Sequence, residues 1–407
     1  MRGETKAAPI CTKRLVYHIG GYDPITPQDA AHSRFKRELK RFERTWSVTC
    51  SVSAERLTED ELRWCITSEG PNWRGETDYH LIRWDDVITT FARRPLWRRL
   101  PLGVLSFLDF ILAGALWGYL RTNWYYAAFF LYPFLVFAVL TAVAIITGAM
   151  VAKLTVSVAA GISAGCAAFA VLFLGPWRWL HLAPLFDDWI FSRAYIRYSD
   201  QGLERRLNRI ASEIVAAATQ SGADEILFVG HSLGAVLAID LIDRILTLDP
   251  SFGQVGPRVA FLSVGSSVLK IGLHGSAERF RAAAQRVALA PGVFWGDFQA
   301  RIDIMNFYNT EPITEMALIA TGRPVVRLVE IGRMLEHEVY RRIRLRFFRV
   351  HCQFISGNDR RASYDYFMLV CGPFSAERQT LSHDGAMSMM REDGSLDAAE
   401  HRAGTVS

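Results

Sequence analysis

The run Ile226-Leu227-Phe228-Val229-Gly230-His231-Ser232-Leu233-Gly234-Ala235-Val236 limits the possible folds more than any other part of this chain. Glu225 to Val229 is short, apolar and rich in β-formers, so it reads as a buried strand. Leu233 to Leu246 is an apolar run of helical length that stops near Asp249-Pro250. Between them the backbone must turn from strand to helix within a few residues. Gly230 and Gly234 make this possible, because a side chain at either position would collide with the neighbouring strand or helix. The turn lifts the Ser232 hydroxyl above the sheet edge and beside the free N–H groups of a helix start, which favour negative charge.

A chance match to G-x-S-x-G in a chain of 407 residues is not rare, but the strand–turn–helix setting makes the match specific. A serine hydroxyl near neutral pH needs a base to take its proton, and the base needs an acid to hold its tautomer. His351, directly after Arg346-Phe347-Phe348-Arg349-Val350, is the expected base at the end of a late strand. His383, in the polar C-terminal region, is a weaker rival. His231 adjoins the serine with its side chain directed away from the hydroxyl. His337 falls on a helix. The expected acid is Glu311, which follows the apolar run 302–309 with Pro312 stopping the strand. Asp303 and Asp297 are the alternatives. The oxyanion of an attacked ester needs two backbone N–H groups. Leu233 is placed to supply one, and the loop from His18 to Tyr22 the other, through Gly20 or Gly21.

The rest of the chain alternates strand and helix signals. Strands are expected at 15–19, 48–52, 63–67, 79–83, 225–229, 259–264, 302–309 and 345–350. Helices are expected at 27–44, around Leu203, Leu207, Ile210 and Ile214, and at 277–287 and 325–338. Such alternation predicts an α/β fold, a doubly wound, mostly parallel sheet with helices on both faces. Residues at strand C-terminal ends then face the ligand crevice.

Half of the residues are hydrophobic, high for a soluble enzyme. The excess lies in one block from about Leu102 to Gly175. Three stretches of it approach the 20 residues of a membrane span: 102–120, 125–148 and 154–174. Strands before and after the block must share one sheet, so the number of full spans is even, and the block is too short for four. The first stretch contains Asp109, a carboxylate that costs about 2.5–3.5 kcal/mol at a helix centre. The expectation is therefore a hairpin of 125–148 and 154–174, brought close by Gly161 and Gly165, with 102–120 at the interface as a lid. Arginines 93, 94, 98 and 99 and the sequence Trp177-Arg178-Trp179 flank the block as interfacial anchors and orient the body toward the cytoplasm. The net charge of +5 suits a bilayer surface better than nucleic acid. Six scattered cysteines show no metal-ligand spacing and read as reduced thiols. No signal-peptide core is present at the N-terminus.

Gly230-His231-Ser232-Leu233-Gly234, the early His18-Ile19-Gly20-Gly21 loop and the order serine, acid, histidine resemble the lipases and esterases of the α/β-hydrolase superfamily. The likeness covers about residues 13–100 and 200–372. It implies acyl-ester cleavage through an acyl-enzyme, with no metal or organic cofactor and a lipid or other acyl ester as substrate. Two departures stand out: H-I-G-G replaces the H-G or H-G-G-G of esterases, and a membrane block interrupts the fold. The resemblance is to a bacterial, membrane-tethered branch, multi-pass in the inner membrane with a cytoplasmic catalytic domain. The expected organisation is 1–100 and 181–375 as two parts of a hydrolase domain, 101–180 as a membrane-embedded insertion and 376–407 as a disordered tail. An acyltransferase with the same triad, or an inactive hydrolase fold serving as a membrane scaffold, are the other readings.

Overall fold

The computed structural model describes residues 10–23, 30–174, 182–198 and 200–397. The start of the helix expected from residue 27, the Trp177-Arg178-Trp179 anchor and residues 398–407 lie outside them.

Among the described residues the chain forms nine strands and seventeen helices. The first part runs β1 (Lys13–Ile19), α1 (Ala31–Trp46), β2 (Thr49–Val52), β3 (Arg56–Leu57), β4 (Glu61–Gly70) and β5 (Trp73–Ile82). Six helices follow: α2 (Asp85–Ala92), α3 (Leu96–Leu112), α4 (Ala115–Thr122), α5 (Trp124–Thr155), α6 (Val158–Leu174) and α7 (Leu182–Ile196). Then come α8 (Gln201–Gln220), β6 (Glu225–His231), α9 (Gly234–Leu248), β7 (Arg258–Val264), α10 (Val268–Gly272), α11 (Glu278–Leu289) and β8 (Val293–Gln299). The chain continues through α12 (Pro312–Glu315), β9 (Val325–Leu328), α13 (Ile331–Met334), α14 (His337–Ile343), α15 (Phe347–Cys352), α16 (Tyr366–Cys371) and α17 (Ala376–Leu381).

The strands make one mixed, mostly parallel sheet in the order β2-β4-β5-β1-β6-β7-β8-β9, with β3 added on β4. The pairs β5/β1, β1/β6, β6/β7, β7/β8 and β8/β9 are parallel, and only β2, β3 and β5 against β4 are antiparallel. After β1 the chain crosses to one edge at β2 and builds inward through β4 to β5. It returns to start the other half beside β1, so β1/β6 is the switch point of the sheet. The crevice at the carboxyl ends of these two strands is where such sheets bind ligands.

Alternation along the central strands feeds two cores. Leu15, Tyr17, Ile19, Ile226, Phe228 and Phe261 point to one face, packed by α8, α9 and α11. Val16, Leu227, Val229, Ala260 and Leu262 point to the other, packed by α1 and α16. Each large apolar side chain buried this way contributes about 1.5–3 kcal/mol. In α8, Leu203, Leu207, Ile210 and Ile214 are the buried stripe, as their spacing predicts, and the Asp200 side chain caps the helix by accepting from the N–H groups of Gly202 and Leu203.

The three apolar stretches become four helices. Helices α3 and α4 bend by 66° at their junction, where Gly114 takes a φ of +80°. Asp109 of α3 pairs with Arg193 and Arg197 of α7 at 3.1 and 2.9 Å, so its charge is met by protein. Among the described residues, α5 is the one helix long and apolar enough by itself to cross a membrane; α6 is apolar but shorter. The first turns of α5 sit in the core through Tyr126, Ala127, Phe130 and Pro133. From Leu135 onward only Ala144 and Gly148 are buried. They face α6: a Cβ on Gly148 would lie 2.8 Å from the Gly161 carbonyl oxygen, and one on Gly165 would lie 3.1 Å from that of Ala144.

Four expected segments differ. Residues 302–309 are a turn, not a strand, because local side-chain hydrogen bonds outcompete sheet pairing. The Asp303 carboxylate accepts from Met305 N–H at 2.9 Å, and the Asn306 amide bonds both the N–H and the carbonyl of Ala300. Residues 347–352 are helix, since Phe347, Val350, His351 and Phe354 recur at helical rather than strand spacing. The expected helix 325–338 opens as strand β9 and only then turns helical. The expected tail is ordered as far as residue 397: Arg14 pairs with Glu225 at 2.6 Å and donates to the carbonyls of Gly372 and Phe374, and Ala376 N–H donates to Glu225. Beyond it, Met389, Met390 and Leu396 join the second core.

Candidate active site

Strand β6 ends at His231, and Ser232 follows with φ of +55°, a left-handed conformation that a non-glycine residue holds only under constraint. The constraints are visible. Ser232 N–H donates to the Val264 carbonyl on β7 at 3.2 Å, and the Ser232 carbonyl accepts from Ala235 and Ser267 at 3.1 Å each. The two flanking glycines are sterically required. A Cβ on Gly230 would lie 2.4 Å from Ala235 Cα, and one on Gly234 would lie 2.1 Å from the Ile19 carbonyl oxygen. Helix α9 starts at Gly234, so Ser232 stands at the positive end of its dipole.

The loop after β1 lies against this serine because Ile19 and Gly230 are register partners. It also separates the two oxyanion candidates. A Cβ on Gly21 would be 2.8 Å from Ser232 Cβ and 3.3 Å from its Oγ, whereas one on Gly20 would meet nothing within 4 Å. Gly20 instead offers its carbonyl to Trp84 Nε1 at 3.0 Å. Gly21 therefore makes the close approach, and among the described residues nothing accepts from the N–H of Gly21 or of Leu233.

His351 sits on α15, with its Cε1 3.3 Å from where a Gly265 Cβ would be. Gly265 adjoins Val264, whose carbonyl holds Ser232, so imidazole and serine stand at the same carboxyl end of the sheet. His351 Nδ1 shares a 2.7 Å hydrogen bond with Asp303 Oδ2, and both side chains are buried. Its Nε2 is buried and, among the described residues, has no partner. The Ser232 hydroxyl is 3.5 Å from that of Ser267 and makes no hydrogen bond to His351 in this structure. Reactive hydrogen bonds are often long before substrate arrives.

The acid expectation is corrected. Glu311 does not meet His351: its carboxylate caps α12, accepting from Ile313 and Thr314 N–H at 3.1 and 2.7 Å. Pro312 after it starts a helix rather than stopping a strand. Asp303 takes the place beside His351. Asp297, at the carboxyl end of β8, is buried among Ser263, Gln299 and Ser266. Burial raises its carboxyl to about 6 against the pull of those hydrogen bonds.

Of the other histidines, His231 holds its ring tilted 4.6 Å from that of His351 and meets the His351 carbonyl through Nε2 at 3.1 Å. Burial, then the nearby His351, holds it far below the usual imidazole range, so it braces α15 as a neutral ring. His337 and His383 are exposed.

Ser267 was not singled out from sequence. Its signal was its place just past the end of β7, the strand next to β6. Nearby Lys270 is also buried. Its ammonium pairs with Asp188 and its carbonyl accepts from Tyr119, fixing α10 to α7 and α4. Burial lowers the Lys270 pKa, opposed by Asp188. Among the described residues no cluster of three His, Cys, Asp or Glu side chains is arranged to hold a metal ion.

The arrangement offers a hydroxyl at a helix N-terminus, two free N–H groups on either side of it, and a buried imidazole oriented by a carboxylate. These are the parts needed for acyl transfer through a serine ester. Compared with protein-family models, curated proteins and solved structures, the chain matches none.

Proposed function

We propose that this chain is a membrane-anchored serine hydrolase of the α/β-hydrolase type, acting on acyl esters of lipids through an acyl-enzyme. The observation that carries the reading is Ser232, held at φ +55° at the switch point of the sheet, with the His351–Asp303 pair at the same sheet end.

In the proposed reaction the Ser232 Oγ attacks the ester carbonyl carbon, and His351 Nε2 takes the hydroxyl proton. Asp303 holds the Nδ1–H tautomer and stabilises the imidazolium that forms. The carbonyl oxygen gains the negative charge and is met by the N–H groups of Leu233 and Gly21. Collapse expels the alcohol, which leaves with the proton from His351. Water enters, gives a proton to His351 and releases the acid by the reverse sequence.

The membrane part of the reading rests on the α5–α6 hairpin. Beyond Phe134, α5 presents Leu135, Val139, Ile145, Ile146 and Met150 outward. That stretch of roughly 20 residues rises about 30 Å, the thickness of a bilayer's hydrocarbon core. Strands β1 and β6 pair with each other, so a hairpin that enters and returns satisfies both. Exposed Trp97, Trp117, Trp124 and Tyr125 on α3, α4 and the start of α5 suit the headgroup layer.

The test is fluorophosphonate labelling of the detergent-solubilised protein. Labelling that disappears in Ser232→Ala and falls in His351→Ala supports the reading. Labelling that persists in Ser232→Ala refutes it.

A further inference from the structure

The helix that carries His351 is preceded by an unusual surface. Arg341-Arg342-Ile343-Arg344-Leu345-Arg346-Phe347-Phe348-Arg349 holds five arginines and no acid in nine residues. All five arginines are exposed. Arg341 reaches Glu338 at 3.4 Å, and the other four make no ion pair among the described residues. The tip between α14 and α15 is Leu345, 85% exposed.

This segment is set against the root of the apolar hairpin. The Phe347 ring lies 6.0 Å from Phe129 and 6.3 Å from Tyr132, both on the first turns of α5. A few residues further along, α5 leaves the protein core and turns its apolar side chains outward. The arginines therefore stand at the level where the hairpin would enter hydrocarbon. We propose that Arg341–Arg349 is a docking surface for an anionic bilayer face, with the arginines on lipid headgroups and Leu345 dipping beneath them. The proposal rests on the hairpin insertion described above.

Charge complementarity argues for this occupant. A cluster of unpaired arginines close to a membrane helix is attracted to acidic lipid at short range and loses that attraction in salt. Guanidinium groups bind phosphate in a fork, and their aliphatic stems tolerate an apolar neighbourhood. An exposed leucine between them gains from the acyl boundary. Nucleic acid would use the arginines but would leave Leu345 in water.

Hydrogen exchange on the full chain in nanodiscs tests this. In discs containing phosphatidylglycerol, amides of residues 341–349 should exchange about tenfold more slowly than in pure phosphatidylcholine discs. The difference should vanish in high salt and in the Arg342→Gln/Arg344→Gln/Arg346→Gln/Arg349→Gln variant. Arg344→Glu, a single exposed change, should reduce it without disturbing the fold. Equal exchange in the two lipids, or lipid-dependent protection that survives in the fourfold variant, overturns the proposal. Flotation of the chain with phosphatidylcholine vesicles after a carbonate wash reads hairpin insertion separately, so a failed anchor and a failed docking surface give different results.

Discussion

Asp303 and His351 share a buried 2.7 Å hydrogen bond across 48 residues of sequence. The carboxylate comes from a turn after β8 and the imidazole from a short helix rather than a strand. Asp303→Asn would still fill the space but would favour the wrong imidazole tautomer. The expected result is a loss of about 10⁴ in kcat with little change in folding. Glu311→Gln should keep turnover close to wild type and cost less stability than a lost helix cap, about 0.5–2 kcal/mol, since its amide oxygen still accepts one of the two N–H groups. Steady-state esterase assays beside thermal melts in detergent separate the two. If Glu311→Gln is the inactive variant, the acid assignment is wrong.

Ser232→Ala should lower esterase turnover by about 10⁶, the scale seen when a nucleophile is removed from a triad. Ser267→Ala should retain fluorophosphonate labelling, since Ser267 lies 3.5 Å from the nucleophile but has no base of its own among its contacts. Mass spectrometry of the labelled peptide identifies the modified serine directly.

The two glycines of the β1 loop should differ sharply. Gly21→Ala places a methyl 2.8 Å from Ser232 Cβ and shifts an oxyanion donor, so kcat should fall about 10²–10³-fold. Gly20→Ala meets open space and should leave kcat within a few-fold. Equal effects of the two substitutions on kcat would show that the loop does not approach the reaction in this way.

Asp297 supplies a pH dependence of stability. Its carboxyl is raised from an ordinary 3.8 to about 6 by burial. Between those values the folded protein binds more protons than the unfolded chain. Stability contributed at this site is thus greatest below pH 3.8 and falls as pH rises through about 6. Asp297→Asn should flatten that segment of the profile and raise the melting temperature at pH 7 relative to pH 4, compared with wild type. Melts across this range in one detergent make the comparison. An unchanged slope in the variant would refute the assignment.

The hairpin should be sensitive to bulk at its crossing. A Cβ on Gly161 would lie 2.5 Å from Ala152 Cβ and 2.7 Å from the Gly148 carbonyl oxygen. Gly161→Val should therefore separate α5 from α6 and lower the melting temperature in detergent. Gly103 and Gly118, on other helices, are no substitute as controls because they too pack closely; Gly114→Asn, at a positive φ with open space around it, should be tolerated.

What the sequence made legible was encoded locally. The elbow around Ser232, the amphipathic stripe of α8 and the small-residue crossing of α5 and α6 each follow from neighbours a few residues apart. Asp303 was harder to find because its loop mimics a strand: Ile302 and Ile304 flank the polar Asp303 in an apolar-rich run, and only the Asx bonding of Asp303 and Asn306 to nearby backbone decides for a turn. The ordered C-terminal segment was invisible for a different reason. Its few apolar residues, Met389, Met390 and Leu396, are buried by partners from the other end of the chain, and no local pattern records that.

The clasp of Arg14 by Glu225, Gly372 and Phe374 sets an order of assembly during synthesis. β1 lies at the centre of the sheet, yet its second partner, β6, follows in the chain only after the whole apolar hairpin. The guanidinium at its start waits longer still, for carbonyls some 360 residues downstream. The hairpin is therefore made while the sheet is only half built, and the sheet is completed around β1 only once both hairpin helices precede it in the chain.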